Sequence, residues 1–153
     1  MATRVREFSK TTLPAVFHSK TRLKIGLLGG SFNPAHDGHL HMSQLALRSL
    51  GLDQIWWLVT PQNPLKDPHA MMTLLYRRDA ARKITRNHPQ IRVLSPEEQR
   101  PDQLTYNTLI WLTKTCPHAQ FTWIMGADNM VQFRAWHRHR DISRLMPMAV
   151  IDR

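Results

Sequence analysis

The chain has 153 residues, 42% hydrophobic and 21% charged, with a formal net charge of +10. That size and balance give one globular domain with a real core and exclude a disordered chain. No apolar run approaches the ~20 residues that span a bilayer. The lone cysteine, Cys116, excludes an internal disulfide and fits a reducing cytoplasm.

Residues 1–21 lack periodicity and read as an N-terminal extension. Arg4, Arg6, Lys10, Lys20, Arg22 and Lys24 stand there or just beyond against Glu7 alone. No apolar core follows them, which argues against a secretory signal. Residues 23–28 form an apolar first strand, and Gly29-Gly30 read as the turn that ends it. Two histidines three residues apart, His36 and His39, come next. A helix is predicted over 39–50, with Leu40, Leu47 and Leu50 apolar and Gly51 as its stop. Residues 55–59, Ile-Trp-Trp-Leu-Val, read as a strand buried on both faces of a parallel sheet.

Residues 60–68 hold Pro61, Pro64 and Pro68 and read as a loop. The pattern over 70–87 predicts a long helix with Met71, Leu74, Leu75, Ala81 and Ile84 inward and its arginines outward. A short strand at 91–94, a loop at 96–103 and a helix at 108–115 follow. Residues 121–125 are a strand ending in Gly126-Ala127-Asp128-Asn129. Short helices at 129–136 and 141–145 precede a last strand at 148–151. Strands alternating with helices predict an α/β fold, a Rossmann-like doubly wound parallel sheet. Right-handed crossovers place the loops after the strands along one edge, where ligands bind.

Strand, glycines, histidine pair and helix in that order form a site for phosphate, which free backbone N–H groups and the helix dipole favour. Both imidazoles can donate to phosphate oxygens, and donors aimed where charge grows lower the barrier to phosphoryl or nucleotidyl transfer. The plainer reading is a pair of surface histidines capping a turn. Neither G-x-G-x-x-G nor G-x-x-x-x-G-K-S/T occurs, which sets aside an ordinary dehydrogenase and a P-loop enzyme. His36, His39 and His41 lie close, but no glutamate intervenes at zinc-protease spacing and no cysteines assist, so no metal site is assigned.

Asp128 can accept from a ribose or an adenine, or can cap the helix after it. Trp136, followed by His137, can stack on a ligand ring or pack into the core. Trp56, Trp57, Trp111 and Trp123 are assigned to the core, and Cys116 has no base partner that would activate it. The positive charge is dispersed and accompanies no nucleic-acid module. It favours phosphorylated small molecules over RNA.

Taken together, these segments resemble the bacterial nicotinate-nucleotide adenylyltransferases of the nucleotidyltransferase superfamily marked by a His-x-Gly-His motif. The motif here is His36-Asp37-Gly38-His39. The resemblance runs from about residue 23 to 153. It includes Leu58-Val59-Thr60-Pro61-Gln62-Asn63-Pro64-Leu65-Lys66, Thr105 with Thr108-Leu109, and Ile124 to Asn129 through Phe133 to Trp136-His137. It implies one nucleotidyltransferase domain over 22–153. The implied reaction joins ATP to nicotinate mononucleotide with Mg²⁺, giving nicotinate adenine dinucleotide and pyrophosphate, by direct attack on the α-phosphorus.

On this resemblance His36 and His39 stabilise phosphate charge, and Gly29, Gly30, Ser31 and Phe32 line the nucleotide loop. Gly126 and Asp128 face the adenosine. Thr105 and Trp136 hold the nicotinate ring, Trp136 by stacking, His137 is a further substrate-binding residue, and Asn63 and Lys66 reach the mononucleotide. Relatives often carry Tyr where Leu104 stands. The family's Ile-Ser-Ser-Thr-x-Ile-Arg-type phosphate segment does not follow Arg153, so the expectation is a member without its C-terminal part and with weakened ATP binding. Alternatives are another phosphate acceptor (nicotinamide mononucleotide or phosphopantetheine) and a nucleotide-binding module without catalysis. No membrane or specific nucleic-acid partner is expected, and a homo-oligomer stays open.

Overall fold

In the computed structural model, residues 21–60, 71–96 and 104–152 are described. Among these residues ten elements follow one another: β1 (Lys24–Gly30), α1 (Asp37–Ser49), β2 (Gln54–Val59), α2 (Leu74–Thr85), β3 (Ile91–Leu94), α3 (Thr105–Thr115), β4 (Gln120–Gly126), α4 (Ala127–Phe133), α5 (His139–Leu145) and β5 (Met148–Ile151). The strands form one sheet in the order β3-β2-β1-β4-β5, with every pairing parallel. The sheet winds outward from β1 in both directions, as the doubly wound reading required. The gap between the carboxyl ends of β1 and β4 is the topological switch point, where open α/β sheets bind ligands.

The apolar runs form central strands because both faces are covered. Alternate side chains of β1 and β2 enter opposite layers. Ile25, Leu27, Trp56 and Leu58 pack with Leu109, Leu112, Trp123 and Ile142 beneath α3 and α5. Leu28, Ile55, Trp57 and Val59 pack with Met42, Ala46, Ala81 and Ile124 beneath α1 and α2. Trp56, Trp57 and Trp123 are buried core residues as read, and Trp111 packs against the first of these layers. Gly51 takes a φ of +59° just after α1, the left-handed turn that stops the helix.

Several boundaries differ from the sequence reading. Gly29 and Gly30 are not a turn but the last two residues of β1, paired with Leu58 and Val59. A β-carbon on Gly29 would collide with Cη2 of Trp123, so this glycine answers to packing. α1 begins at Asp37, because His36 caps it. α2 begins at Leu74 behind a Thr73 cap and ends at Thr85, leaving Met71 outside it. Within α2, Leu75 is 59% exposed and Arg77 only 1% exposed, the reverse of the inward and outward assignment. α3 starts earlier than read, at Thr105. α4 also starts earlier, at Ala127, and stops at Phe133, short of Trp136. β3 and β5 lie where they were read.

Asn63 and Lys66, and all but the first residue of the loops read at 60–68 and 96–103, lie outside the described residues, as do residues 1–20 and Arg153. Among the described residues no helix is long and apolar enough to cross a membrane.

Candidate active site

Beyond β1 the chain turns sharply into α1. Ser31 and Phe32 are buried, Phe32 holds a φ of +47°, and the Asn33–Pro34 peptide is cis. A side chain at positive φ is uncommon and persists only where its surroundings fix it. Here the Phe32 ring is stacked on Trp57, with centroids 4.9 Å apart and planes 17° apart, and lies 4.7 Å from the His39 ring. Phe32 therefore contributes to the loop through its backbone, while its ring belongs to the core.

His36 is the N-cap of α1, with extended backbone. Its Nδ1 accepts from the Gly38 N–H at 3.1 Å, and the His39 Nδ1 accepts from the His36 N–H at 3.1 Å. This is a capping box made of two histidines, where a serine and a glutamate would ordinarily stand. It has a chemical consequence. A neutral imidazole that accepts at Nδ1 carries its proton on Nε2. Both rings are thereby fixed in one tautomer, with Nε2–H as the donor. The centroids are 3.9 Å apart and the planes 35° apart. The capping reading and the phosphate reading are thus compatible: one nitrogen of each ring caps, and the other is the donor.

The two glycines of the loop serve different ends. Among the described residues, Phe32 atoms at 3.6 Å or beyond are what a β-carbon on Gly30 would meet, which leaves room for close approach to the backbone there. The Gly30 carbonyl is held by the N–H and the hydroxyl of Thr60, at 3.0 and 3.2 Å.

Across the switch point Gly126 caps α4, and Asp128 lies in its first turn, not at the cap. The Asp128 carboxylate folds back over Gly126, with Oδ1 2.6 Å from where a β-carbon would be. The exposed carboxylate of Asp128 is consequently available to a ligand at the carboxyl end of β4.

Trp136 is half-buried, edge-on to Trp123 at 6.0 Å and to Phe133 at 5.5 Å, while His137 is exposed. Thr105, half-buried, opens α3. Its neighbour Tyr106 lies beneath the Arg138 guanidinium, 4.0 Å from the ring centroid. Arg138 has a φ of +55° and donates from Nε to Asp141 Oδ2 at 2.8 Å. This clasp draws the start of α3 toward the turn that carries Trp136 and His137. The histidine pair and the Thr105–Trp136 group therefore sit against opposite core layers of one sheet. Among the described residues no three His, Cys, Asp or Glu side chains gather as a metal site, and His41 is exposed.

The sequence reading missed Arg77. It donates from Nε to the Met72 carbonyl at 2.9 Å, and from Nη1 to the carbonyls of Ser31 and Thr60, each at 2.6 Å. One side chain so joins the loops after β1 and β2 to the start of α2. Burial lowers its pKa from the ordinary value. The signal was present, since position 77 lies on the helix face of Leu74, Ala81 and Thr85. Burial pushes the Cys116 thiol up to about 11, in keeping with an inert cysteine.

Residues 27–153 match the family model described as cytidylyltransferase-like. The chain belongs to the cytidylyltransferase-like family. A Parvibaculum lavamentivorans relative named "Probable nicotinate-nucleotide adenylyltransferase" is 50% identical over 131 residues, 86% of this chain and 65% of the relative. A relative of the same name from Methylorubrum extorquens is also 50% identical over 131 residues, 86% of this chain and 70% of the relative. This cytidylyltransferase-like chain thus spans about two thirds of the length of those relatives. Its fold is also that of the Plasmodium falciparum nicotinic acid mononucleotide adenylyltransferase solved with NaAD. The TM-score is 0.70 at 16% identity, over 86% of this chain and 76% of that one.

Proposed function

We propose that this chain transfers the adenylyl group of ATP to nicotinate mononucleotide, giving nicotinate adenine dinucleotide and pyrophosphate, in NAD biosynthesis in the cytoplasm. The observation that carries the reaction type is the histidine capping box at the switch point, which gives each ring an Nε2–H donor beside the N-terminus of α1. The acceptor follows from the name shared by relatives at 50% identity.

A 5′-phosphate oxygen of the acceptor attacks the α-phosphorus of ATP. The bond from that phosphorus to the oxygen bridging to the β-phosphate breaks, and pyrophosphate departs. Little proton transfer is needed, so positioning and charge stabilisation dominate. Nε2–H of His36 and of His39 donates to the phosphate oxygens as charge grows on them. Gly30 lets the chain approach the phosphates, and Asp128 accepts from the adenosine. Trp136 stacks on the nicotinate ring, with Thr105 and His137 beside it. Asn63 and Lys66 extend the mononucleotide contacts. Mg²⁺ would be held mainly by phosphate oxygens and water, since no cage of protein ligands gathers among the described residues, and would supply charge neutralisation.

The test is pyrophosphate release from Mg-ATP with nicotinate mononucleotide, nicotinamide mononucleotide or phosphopantetheine, each alone. Release with the nicotinate form alone is expected. Release with another acceptor reassigns the substrate. ATP binding without release from any acceptor reduces the chain to a nucleotide-binding module.

A further inference from the structure

Behind the histidine pair lies a buried polar relay. Trp57, in β2, donates from Nε1 to Ser43 Oγ at 2.8 Å, and Ser43 Oγ donates to the carbonyl oxygen of His39 at 2.8 Å. Trp57 and Ser43 are both 0% exposed. The other link is aromatic: the Trp57 ring is stacked on Phe32, and Phe32 meets the His39 ring. Trp57 itself lies 5.9 Å from that ring. His39 is therefore held from two sides by one tryptophan, at its carbonyl through Ser43 and at its imidazole through Phe32.

Neither residue type is the obvious choice for core filling alone. Serine is a weaker helix former than alanine, and a buried indole N–H costs free energy unless it finds an acceptor. Paired, they satisfy each other and tie the first turn of α1 to β2. The first turn is where direction matters. The His39 Nδ1 receives the His36 N–H, so the His39 ring orientation sets the tautomer and the direction of its donor nitrogen. A ring free to rotate would keep the cap only part of the time and would misdirect Nε2–H.

We propose that Trp57 and Ser43 are positioning residues for His39, fixing its imidazole in the Nε2–H tautomer and aiming that N–H at the phosphates. The claim about ring geometry stands on the relay and the capping bond, apart from any function. Its value for catalysis rests on the adenylyl-transfer reading above.

The experiment measures the ring nitrogens of the 153-residue chain by long-range proton–nitrogen correlation NMR, without nucleotide and with the histidines neutral. In the unaltered chain His39 is expected to show an unprotonated Nδ1 and a protonated Nε2. The test variant is Ser43→Ala with Trp57→Phe. It removes donor and acceptor together, so no buried partner is orphaned and folding is retained. His39 is expected to shift to an averaged tautomer pattern, while exposed His118 stays unchanged. A merely structural relay leaves His39 as it was in that variant, and this result overturns the proposal. So does an averaged pattern in the unaltered chain. If the double variant fails to fold, Trp57→Phe alone is read the same way: a partial shift at His39 supports the proposal, and none overturns it.

Pyrophosphate release gives the second reading. The double variant is expected to lose about tenfold in kcat with the KM for ATP little changed, and Ser43→Thr with Trp57 intact is expected to restore it. An unaltered chain without turnover counts against the adenylyl-transfer reading and leaves the ring nitrogens to decide the relay.

Discussion

Arg77 reaches from α2 to the Ser31 carbonyl, donating from Nη1 at 2.6 Å across a separation of 46 residues. The same nitrogen donates to the Thr60 carbonyl. Charged donors on buried carbonyls are among the stronger hydrogen bonds, and their loss leaves acceptors without solvent. Arg77→Met is therefore expected to lower the unfolding free energy by about 3 kcal/mol. Arg77→Lys should recover part of that. Urea unfolding with an unchanged m-value checks it, and a loss below about 0.5 kcal/mol would show that the three carbonyls find other donors. ATP affinity should fall as well, because Ser31 leads into the histidine turn.

Gly29 and Gly30 are adjacent but not interchangeable. A methyl group on Gly29 meets the Trp123 indole inside the core, whereas one on Gly30 meets Phe32 at ordinary contact distance among the described residues. Gly29→Ala should destabilise the fold by about 2 kcal/mol through overpacking. Gly30→Ala should change stability by less than about 0.5 kcal/mol and act on ATP binding instead. Thermal unfolding alongside ATP titration separates the two. Equal destabilisation by both would remove the distinction between a packing glycine and a ligand-facing one.

The parallel sheet was legible because its strands are short continuous apolar runs, and 91–94 and 148–151 were placed to the residue. The histidine pair was legible from its spacing after the glycines. Side-chain direction was harder to read. Arg77 looked like a solvated charge because arginine usually is one, and carbonyls from distant segments reverse that preference. Trp57 was rightly assigned to the core, yet its bond to Ser43 joins residues 14 apart on different elements, which no local pattern reveals. Arg138 at positive φ, clasped to Tyr106 and Asp141, is likewise a tertiary feature.

His36 performs two tasks with two nitrogens, and substitution can divide them. Asparagine is a strong N-cap residue, so His36→Asn keeps an acceptor for the Gly38 N–H but removes Nε2–H. Stability should be nearly unchanged, while pyrophosphate release falls about a hundredfold. His36→Ala should lose the same activity and, in addition, about 1 kcal/mol of stability from the missing cap. Near-full turnover by His36→Asn would reduce this histidine to a helix cap.

Cys116 makes a statement about alkaline pH. Burial raises its thiol from 9.0 to about 11. A raised pKa favours folding while the thiol is neutral in both states, and that contribution fades as pH climbs from about 9 through about 11. Native protein at pH 8 should therefore react with a thiol reagent far more slowly than urea-unfolded protein. Comparable rates would mean that the thiol is open to solvent.

The Arg138–Asp141 pair contributes to the behaviour in acid. The Arg138 hydrogen bond holds the Asp141 carboxyl below its ordinary value. For a depressed carboxylate the sign is fixed: the contribution is present above the unfolded pKa of about 4 and disappears as pH falls through the lower folded value. The pair also anchors a non-glycine residue at φ +55°, beside the turn that carries Trp136. Asp141→Asn should thus unfold at a lower temperature than the unaltered chain near pH 7. The two melting curves should converge as the pH falls below the lowered Asp141 value, where both side chains are uncharged. A constant gap across that range would mean that the carboxylate charge contributes nothing and that the amide fails for a packing reason. Affinity for nicotinate mononucleotide should weaken in Asp141→Asn at pH 7, because the clasp over Tyr106 loses the partner that holds Arg138 in place.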